Sequence, residues 1–227
     1  MAIKIGDFVR ISYTGKLEDG SVFDTTEESV AKEKNIYNQR MIYKPVLIIV
    51  GKHQVIAGLD ESLIGMEKGN EKEVAITPEK AFGQKKNDLI NVVPLAHFEK
   101  QKMNPVPGMF VQINGKDGMV KSVGAGRVIV DFNHPLAGRT LNYKMKVEEV
   151  LDTPEQKVNA LFGDAGLDGS VSMSKDVLTV ACKADPSENY IFRKQTFLSW
   201  AREVKEINKI LFNEEYQLAE AKAPKKQ

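Results

Sequence analysis

Five consecutive aliphatic residues, Val46-Leu47-Ile48-Ile49-Val50, run without a polar break and stop at Gly51. Alternate side chains of a strand point to opposite sides, so such a run reads as a strand buried on both faces. Lys44-Pro45 fixes where it starts, because the residue before a proline is pushed out of helical backbone. Just past Gly51, apolar residues at 55, 56, 59 and 63 are spaced as a helical stripe. Gly65 and Gly69 end that stripe. A buried strand followed at once by a short helix calls for a sheet with the helix packed on it. The same run is the longest unbroken aliphatic stretch, and five residues fall far short of the roughly 20 needed for a spanning helix.

Further strands lie on either side. Val9, Ile11 and Tyr13 share one face at period two, and Leu17-Glu18-Asp19-Gly20 supplies a hairpin turn before Val22-Phe23-Asp24. Residues 25–43 are charged and read as a surface excursion with helix formers at 27–34. Residues 71–76 and the alternating stretch 141–151 are strands. Between them, from about 86 to 132, the texture changes. Pro94, Pro105 and Pro107 punctuate short apolar pieces, and a hairpin is predicted across Gly124-Ala125-Gly126. This block is about the smallest unit that holds a core of its own. Thr153-Pro154-Glu155-Gln156 is a capping box with proline at the first helical position, and Gly163 is expected to end that helix. A strand pair follows around Lys175-Asp176, then a helix carrying Phe197, Trp200, Val204 and Ile207. Periodicity leaves residues 210–216 open between more helix and a strand, and the tail 223–227 reads as frayed. The division is an α+β chain in three parts: 1–85 with 133–152, an insert 86–132, and an α/β module 153–227.

Several function classes drop out. Lys and Arg total 32 against 31 Asp and Glu, a net charge of +1, so no basic excess points to nucleic acid. The start, MAIKIGDFVR, has no apolar core of a secretory signal. One cysteine, Cys182, forbids an intrachain disulfide. These features point to the cytoplasm. His53, His97 and His134 are widely separated, and no His or Cys follows Tyr216, so neither a metal site nor any other cofactor is expected. No phosphate-binding glycine loop or nucleophile–base order is present. An enzyme of this composition works through shape and desolvation.

The glycine-punctuated segments occur in a telling order. Tyr13-Thr14-Gly15, Leu17-Glu18-Asp19-Gly20, Phe23-Asp24, the stretch Gly51-Lys52-His53-Gln54-Val55-Ile56-Ala57-Gly58-Leu59, Gly65-Met66, Gly69 and Ala81-Phe82-Gly83 follow one another. Together they resemble the FKBP prolyl isomerases. Asn133-His134-Pro135-Leu136-Ala137-Gly138 with Leu141-Asn142-Tyr143 is similar to the closing loop and last strand of the SlyD-type subgroup, whose flap carries an inserted chaperone domain. Residues 86–132 sit where that insert sits. The resemblance covers residues 1–151, and the charged segment 25–43 and the C-terminal module look like the long archaeal members.

The resemblance implies an FKBP half-barrel, peptidyl-prolyl cis–trans isomerisation and unfolded or proline-containing polypeptides as partners, with no nucleic acid or membrane involved. It places the pocket at Tyr13, Phe23, Asp24, Val46, Val55, Ile56, Leu59, Phe82, Leu136 and Tyr143. By the same resemblance the Ile56 N–H, freed by its position at a helix start, binds a ligand carbonyl. Asp24 faces the twisted amide or holds the Tyr13 hydroxyl. Three positions depart from eukaryotic members: Leu59 stands for Trp, Val46 for an aromatic, and Phe82 for a Tyr whose hydroxyl bonds the bound carbonyl. Losing that donor costs about 0.5–1.5 kcal/mol. His134 before Pro135 reads as a hydrogen-bonding loop residue rather than a base. Competing readings are a non-enzymatic chaperone on the same fold and an adaptor for ribosome or nucleic acid using the C-terminal module.

The insert is expected to hold clients. Val92, Val93, Leu95, Phe98, Met103, Met109, Phe110, Val120, Val128 and Val130 exceed what so small a unit hides, which predicts an exposed groove. The module 153–227 is expected to form a homodimer, because its short strand pair leaves edges and its stripe of Phe197, Leu198, Trp200 and Val204 offers surplus apolar area. A chain ending at Asp152 is then expected to be a monomer that keeps activity.

Overall fold

The computed structural model describes residues 1–184 and 187–216. In chain order the elements are β1 (Phe8–Lys16), β2 (Val22–Thr25), α1 (Glu28–Glu33), β3 (Val46–Ile49), α2 (Ala57–Leu63) and β4 (Glu71–Ile76). Then come β5 (Ile90–Pro94), α3 (Leu95–Lys100), β6 (Phe110–Ile113), β7 (Lys116–Gly124) and β8 (Arg127–Asp131). The last group is β9 (Leu141–Leu151), α4 (Pro154–Ala165), β10 (Gly169–Ser174), β11 (Val177–Ala184), α5 (Glu188–Ala201) and β12 (Lys209–Tyr216). The strands form three separate sheets.

The first sheet has the order β2-β1-β9-β4, with β3 sharing the β2 side of β1. Its pairs are antiparallel, and the centre is the long β1–β9 ladder from Phe8↔Leu151 to Lys16↔Asn142. One face carries Val9, Ile11, Ile48, Met145 and Val147 against Leu59 and Leu63 of α2. The other carries Phe8, Leu47, Ile49 and Leu151. The run 46–50 is therefore buried on both sides as expected, except at its first residue: Val46 is 37% exposed. Gly51, with φ 84°, turns the chain out of β3 toward the helix in a conformation that suits glycine.

The second sheet lies within the insert, in the order β5-β8-β7-β6. The predicted hairpin is β7–β8, and its turn residues Ala125 and Gly126 both have positive φ, as a two-residue hairpin turn requires. Phe98, from the short helix α3, fills the middle of its core with Val111, Ile113, Val120, Val128 and Val130.

The third sheet is the C-terminal module, order β10-β11-β12. The capping box forms as read: Thr153 accepts from the Gln156 N–H, and the Gln156 side chain accepts from the Thr153 N–H. The helix α4 runs through Gly163 and ends at Gly166, which takes the left-handed cap conformation with φ 69°. Residues 210–216 are a strand, β12, lying parallel to β11 from Val177↔Lys209 to Ala184↔Tyr216. α5 supplies the crossover that a parallel pair needs. The helix stops at Ala201, so Val204 and Ile207 follow it rather than extend it. The tail 223–227 lies outside the described residues.

The module does not stand apart. Val158, Leu161 and Phe162 of α4 share one core with Phe8, Leu47, Ile49 and Leu151 of the first sheet. Asp164 sits at the rim, paired with Arg10 at 3.3 Å and Lys44 at 2.7 Å, and Lys52 pairs with Glu203 at 2.6 Å. Phe197 and Val204 are buried in this core and Trp200 packs against it, so the stripe read as surplus area is largely spent inside the protein. One edge of the β10–β11 pair, read as open, is covered by β12.

Candidate active site

A cleft of about 390 Å³ opens on the α2 side of the first sheet. Tyr13 comes from β1, Asp24 from β2 and Tyr143 from β9, while Gln54, Val55, Ile56 and Leu59 come from the segment entering α2 and its first turn. Ala81 and Phe82 close the cleft from the loop after β4. Strand alternation puts Tyr13 on the same face as Val9 and Ile11. The pairing Gly15↔Tyr143 beside Gly15↔Asp24 carries the other two strand residues to the same end of the sheet.

Two of the predicted pocket residues lie just behind this lining. Phe23 meets Tyr143 edge-on with ring centres 5.7 Å apart, and Tyr13 meets Tyr143 at 5.6 Å. Phe23 fits there because residue 15 is glycine: a Cβ on Gly15 would stand 2.7 Å from the Phe23 ring. Leu136 packs on the same core without reaching the lining. Val46 is a correction. It opens β3, pairs with Ile11, is exposed, and lies outside the cleft. Val55, Ile56, Leu59, Phe82, Tyr13, Asp24 and Tyr143 are brought together as read.

Two residues that shape the approach went unread. Asp60, 2% exposed, accepts hydrogen bonds from the Gly51 N–H at 2.9 Å and the His53 N–H at 3.1 Å. Gln54 Oε1 accepts from the Ile49 N–H at 2.7 Å. Together they pin the loop that aims Val55 and Ile56. The signal for Asp60 was a carboxylate inside an apolar helical stripe. Gln54 and Ala81 lie within the glycine-punctuated motifs but have no chemical signature of their own to mark them as lining residues. The Ile56 carbonyl accepts from the Leu59 and Asp60 N–H groups, so Ile56 does cap the helix start.

The electrostatics are those of an apolar site with one carboxyl. The Tyr13 hydroxyl donates to Asp24 Oδ2 at 3.1 Å. Burial pushes the Asp24 carboxyl above its ordinary value, against the pull of the Tyr13 and Thr25 hydrogen bonds. Burial, then the Asp24 charge, pushes both the Tyr13 and Tyr143 phenols well up. Both phenols therefore stay protonated at neutral pH, and that of Tyr13 is the one that donates to Asp24. Phe82 stacks on His134 with centres 3.9 Å apart and planes 6° from parallel, while His134 Nδ1 accepts from the Leu136 N–H. That matches a hydrogen-bonding loop histidine. Among the described residues no cluster of His, Cys, Asp and Glu has the geometry to hold a metal ion, and no helix is long and apolar enough to cross a membrane.

A short-type peptidyl-prolyl cis-trans isomerase from Methanocaldococcus jannaschii is 40% identical over 148 residues, which cover 65% of this chain and 94% of that protein. The chain belongs to the FKBP-type peptidyl-prolyl cis-trans isomerase family. A sequence model of that family matches residues 1–99, and one described as the FKBP26 IF domain matches residues 91–136. An FKBP-type isomerase named SlyD from Helicobacter pylori is 28% identical over 135 residues, covering 58% of this chain and 73% of its own length. A probable FKBP-type 16 kDa isomerase from Pseudomonas fluorescens is 29% identical over 147 residues, 63% of this chain and 87% of its own. The archaeal relative is matched almost end to end, and about a third of this isomerase lies outside that alignment.

The insert residues read as client-binding divide in three. Phe98, Val120, Val128 and Val130 are fully buried and form the insert's core, so they cannot touch a client while it is folded. Val93, Leu95, Met103 and Met109 are half-buried around that core. Val92 and Phe110 are exposed, at 59% and 68%, joined by Val106 and Ile129, which the sequence reading left out. The overcount has a plain cause: strand alternation decides which residues turn inward, and the insert's register was not legible.

Proposed function

We propose that this isomerase rotates X–Pro bonds by drawing them into the cleft between Tyr13, Val55, Ile56, Leu59, Phe82 and Tyr143, and that its insert holds the unfolded chains that bring those bonds. The observation that carries the reading is an apolar cleft with one ionisable carboxyl and two phenols that stay protonated. The amide resists rotation because resonance gives it double-bond character, a barrier of about 18–20 kcal/mol. In an apolar cleft the charge-separated planar form loses solvation and the twisted form loses less, so the barrier falls. An acceleration of about 10⁵ requires roughly 7 kcal/mol of such differential stabilisation. No proton transfer to a side chain is needed. Tyr13 and Asp24 act as an oriented dipole beside the amide, and the Ile56 N–H is the donor for a client carbonyl.

In this reading residues 1–85 with 133–152 form the catalytic domain, residues 86–132 the client-holding insert, and residues 153–227 a module that pairs two copies. The exposed Val92, Phe110 and Ile129 support the insert's role. Dimerisation is supported by different residues from those first read. Ile191 and Phe192 on α5 and Leu211 and Tyr216 on β12 are exposed, and among the described residues no strand pairs with the outer edges of β10 and β12. Light scattering near twice 25.3 kDa supports the dimer, and a value near 25.3 kDa removes it. The single cysteine, buried and unpaired, suits a reducing cytoplasm.

Proline-limited refolding of a test protein and isomerisation of a cis-prolyl tetrapeptide test the whole. Both are expected to accelerate, and to do so in the presence of EDTA. Full activity in a Tyr13→Ala, Phe82→Ala double variant sinks the assignment of the cleft. Failure in both assays favours a chaperone without turnover.

A further inference from the structure

We infer a second subsite, resting on the prolyl-cleft reading: the groove between the His134 loop and the insert takes residues flanking the client's proline and favours an acidic side chain there. The groove, of about 160 Å³, is lined by Phe110, Met119 and Lys121 from the insert and by His134, Pro135 and Arg139 from the loop leading into β9. One stacked pair of rings separates it from the cleft. Phe82 lines the cleft, and His134, 3.9 Å away, lines the groove. An extended chain advances about 3.3 Å per residue, so a residue about two to four positions from the bound proline reaches across this wall.

The chemistry of the groove selects its occupant. Phe110, 68% exposed, gives it an apolar side. Lys85 is neutralised by Asp131 at 2.8 Å; Asp117 accepts from Gln112 Nε2 at 3.0 Å and keeps its negative charge. Lys121 and Arg139 remain, with no carboxylate at ion-pair distance among the described residues. Arg139 also acts at longer range on Asp19, whose carboxylate is held mainly by the Ser21 hydroxyl and N–H. Lys121 and Arg139 outnumber the one uncompensated carboxylate, Asp117, so the groove keeps a net positive charge beside an exposed aromatic ring, which complements a peptide segment that carries both an apolar and an acidic residue.

The test compares proline peptides identical except for Glu or Lys two to four positions from the proline, on either flank. For the wild type, kcat/KM is expected to favour Glu by about three- to tenfold on one flank at low salt, the scale of a pair of exposed ion pairs. The preference is expected to shrink toward one in 1 M salt. A Lys121→Glu, Arg139→Glu double variant is expected to reverse the ratio. The ratio is taken within each protein, so a general change in turnover cancels. Fluorescence anisotropy with the same labelled peptides reads affinity independently of turnover. A wild-type ratio near one, or a ratio unchanged in the double variant, overturns the inference. A wild type that fails on the plain tetrapeptide overturns the isomerase reading instead, and the anisotropy ratio still decides the groove.

Discussion

Ending the chain at Asp152 is the perturbation whose cost the structure sets most directly. It uncovers Phe8, Leu47, Ile49 and Leu151, which are at most 8% exposed in the intact protein. Full burial of a side chain of this size is worth about 1.5–3 kcal/mol. The module covers one side of each while the sheet covers the others, so about half of that is lost at each position. The total is about 3–6 kcal/mol, a large part of the roughly 5–15 kcal/mol that holds a domain folded. Loss of Asp164 adds little, because Arg10 becomes solvated when its partner goes. At a urea slope of about 2 kcal/mol per molar, the midpoint is expected to fall by about 1.5–3 M. The only tryptophan, Trp200, leaves with the module, so unfolding is followed by circular dichroism and by loss of tetrapeptide turnover. Activity without denaturant is expected to survive, because no lining residue is removed. A midpoint within about 0.5 M of that for the intact catalytic sheet refutes the shared core as a source of stability.

Other perturbations test other links. Asp24→Asn is expected to stabilise the protein at pH 7 and to have little effect on stability near pH 4. Burial raises the folded-state value above the unfolded one of about 3.9, so the ionised carboxyl costs stability that was present below that pH. A urea-midpoint difference that grows as pH falls contradicts this. Gly15→Ala forces the Phe23 ring to shift from its 2.7 Å contact, with an expected cost of about 1–3 kcal/mol and reduced turnover; unchanged thermal unfolding and kinetics count against the role given to Gly15. Replacing residues 86–132 by a short loop is expected to spare tetrapeptide turnover and to reduce refolding acceleration sharply, since a client site beside the cleft raises local concentration to about mM. If both rates fall in parallel, the insert is structural only.

The catalytic sheet was largely legible because its cues are local. Period-two alternation exposed β1 and β9, the Asp19-Gly20 turn joined β1 to β2, and the glycines around α2 bounded it. The cleft followed from motif order, with Phe23 and Leu136 falling just behind its lining and Val46 outside it. What stayed hidden depends on distant partners. The run 46–50 announces two covered faces without saying that α4 covers one of them. The strand β12 pairs with a segment more than 25 residues earlier through parallel bonds, which leave no turn signature. The helix α3 is six residues between prolines, too short for a period to register.

The placement of β9 has a consequence for how a new copy comes off the ribosome. The strand at the centre of the catalytic sheet is the last of its five to be made, and Phe8 waits for Leu151 across the whole intervening chain. The insert closes within residues 90–131, through pairs such as Pro94↔Arg127. Short loops close before long ones, and domains fold as synthesis releases them. The insert is therefore complete while β1 to β4 still lack their middle strand. A nascent molecule presents Val92 and Phe110 to its surroundings before it owns a cleft, and among the first unfolded segments within reach are its own β1 and β3.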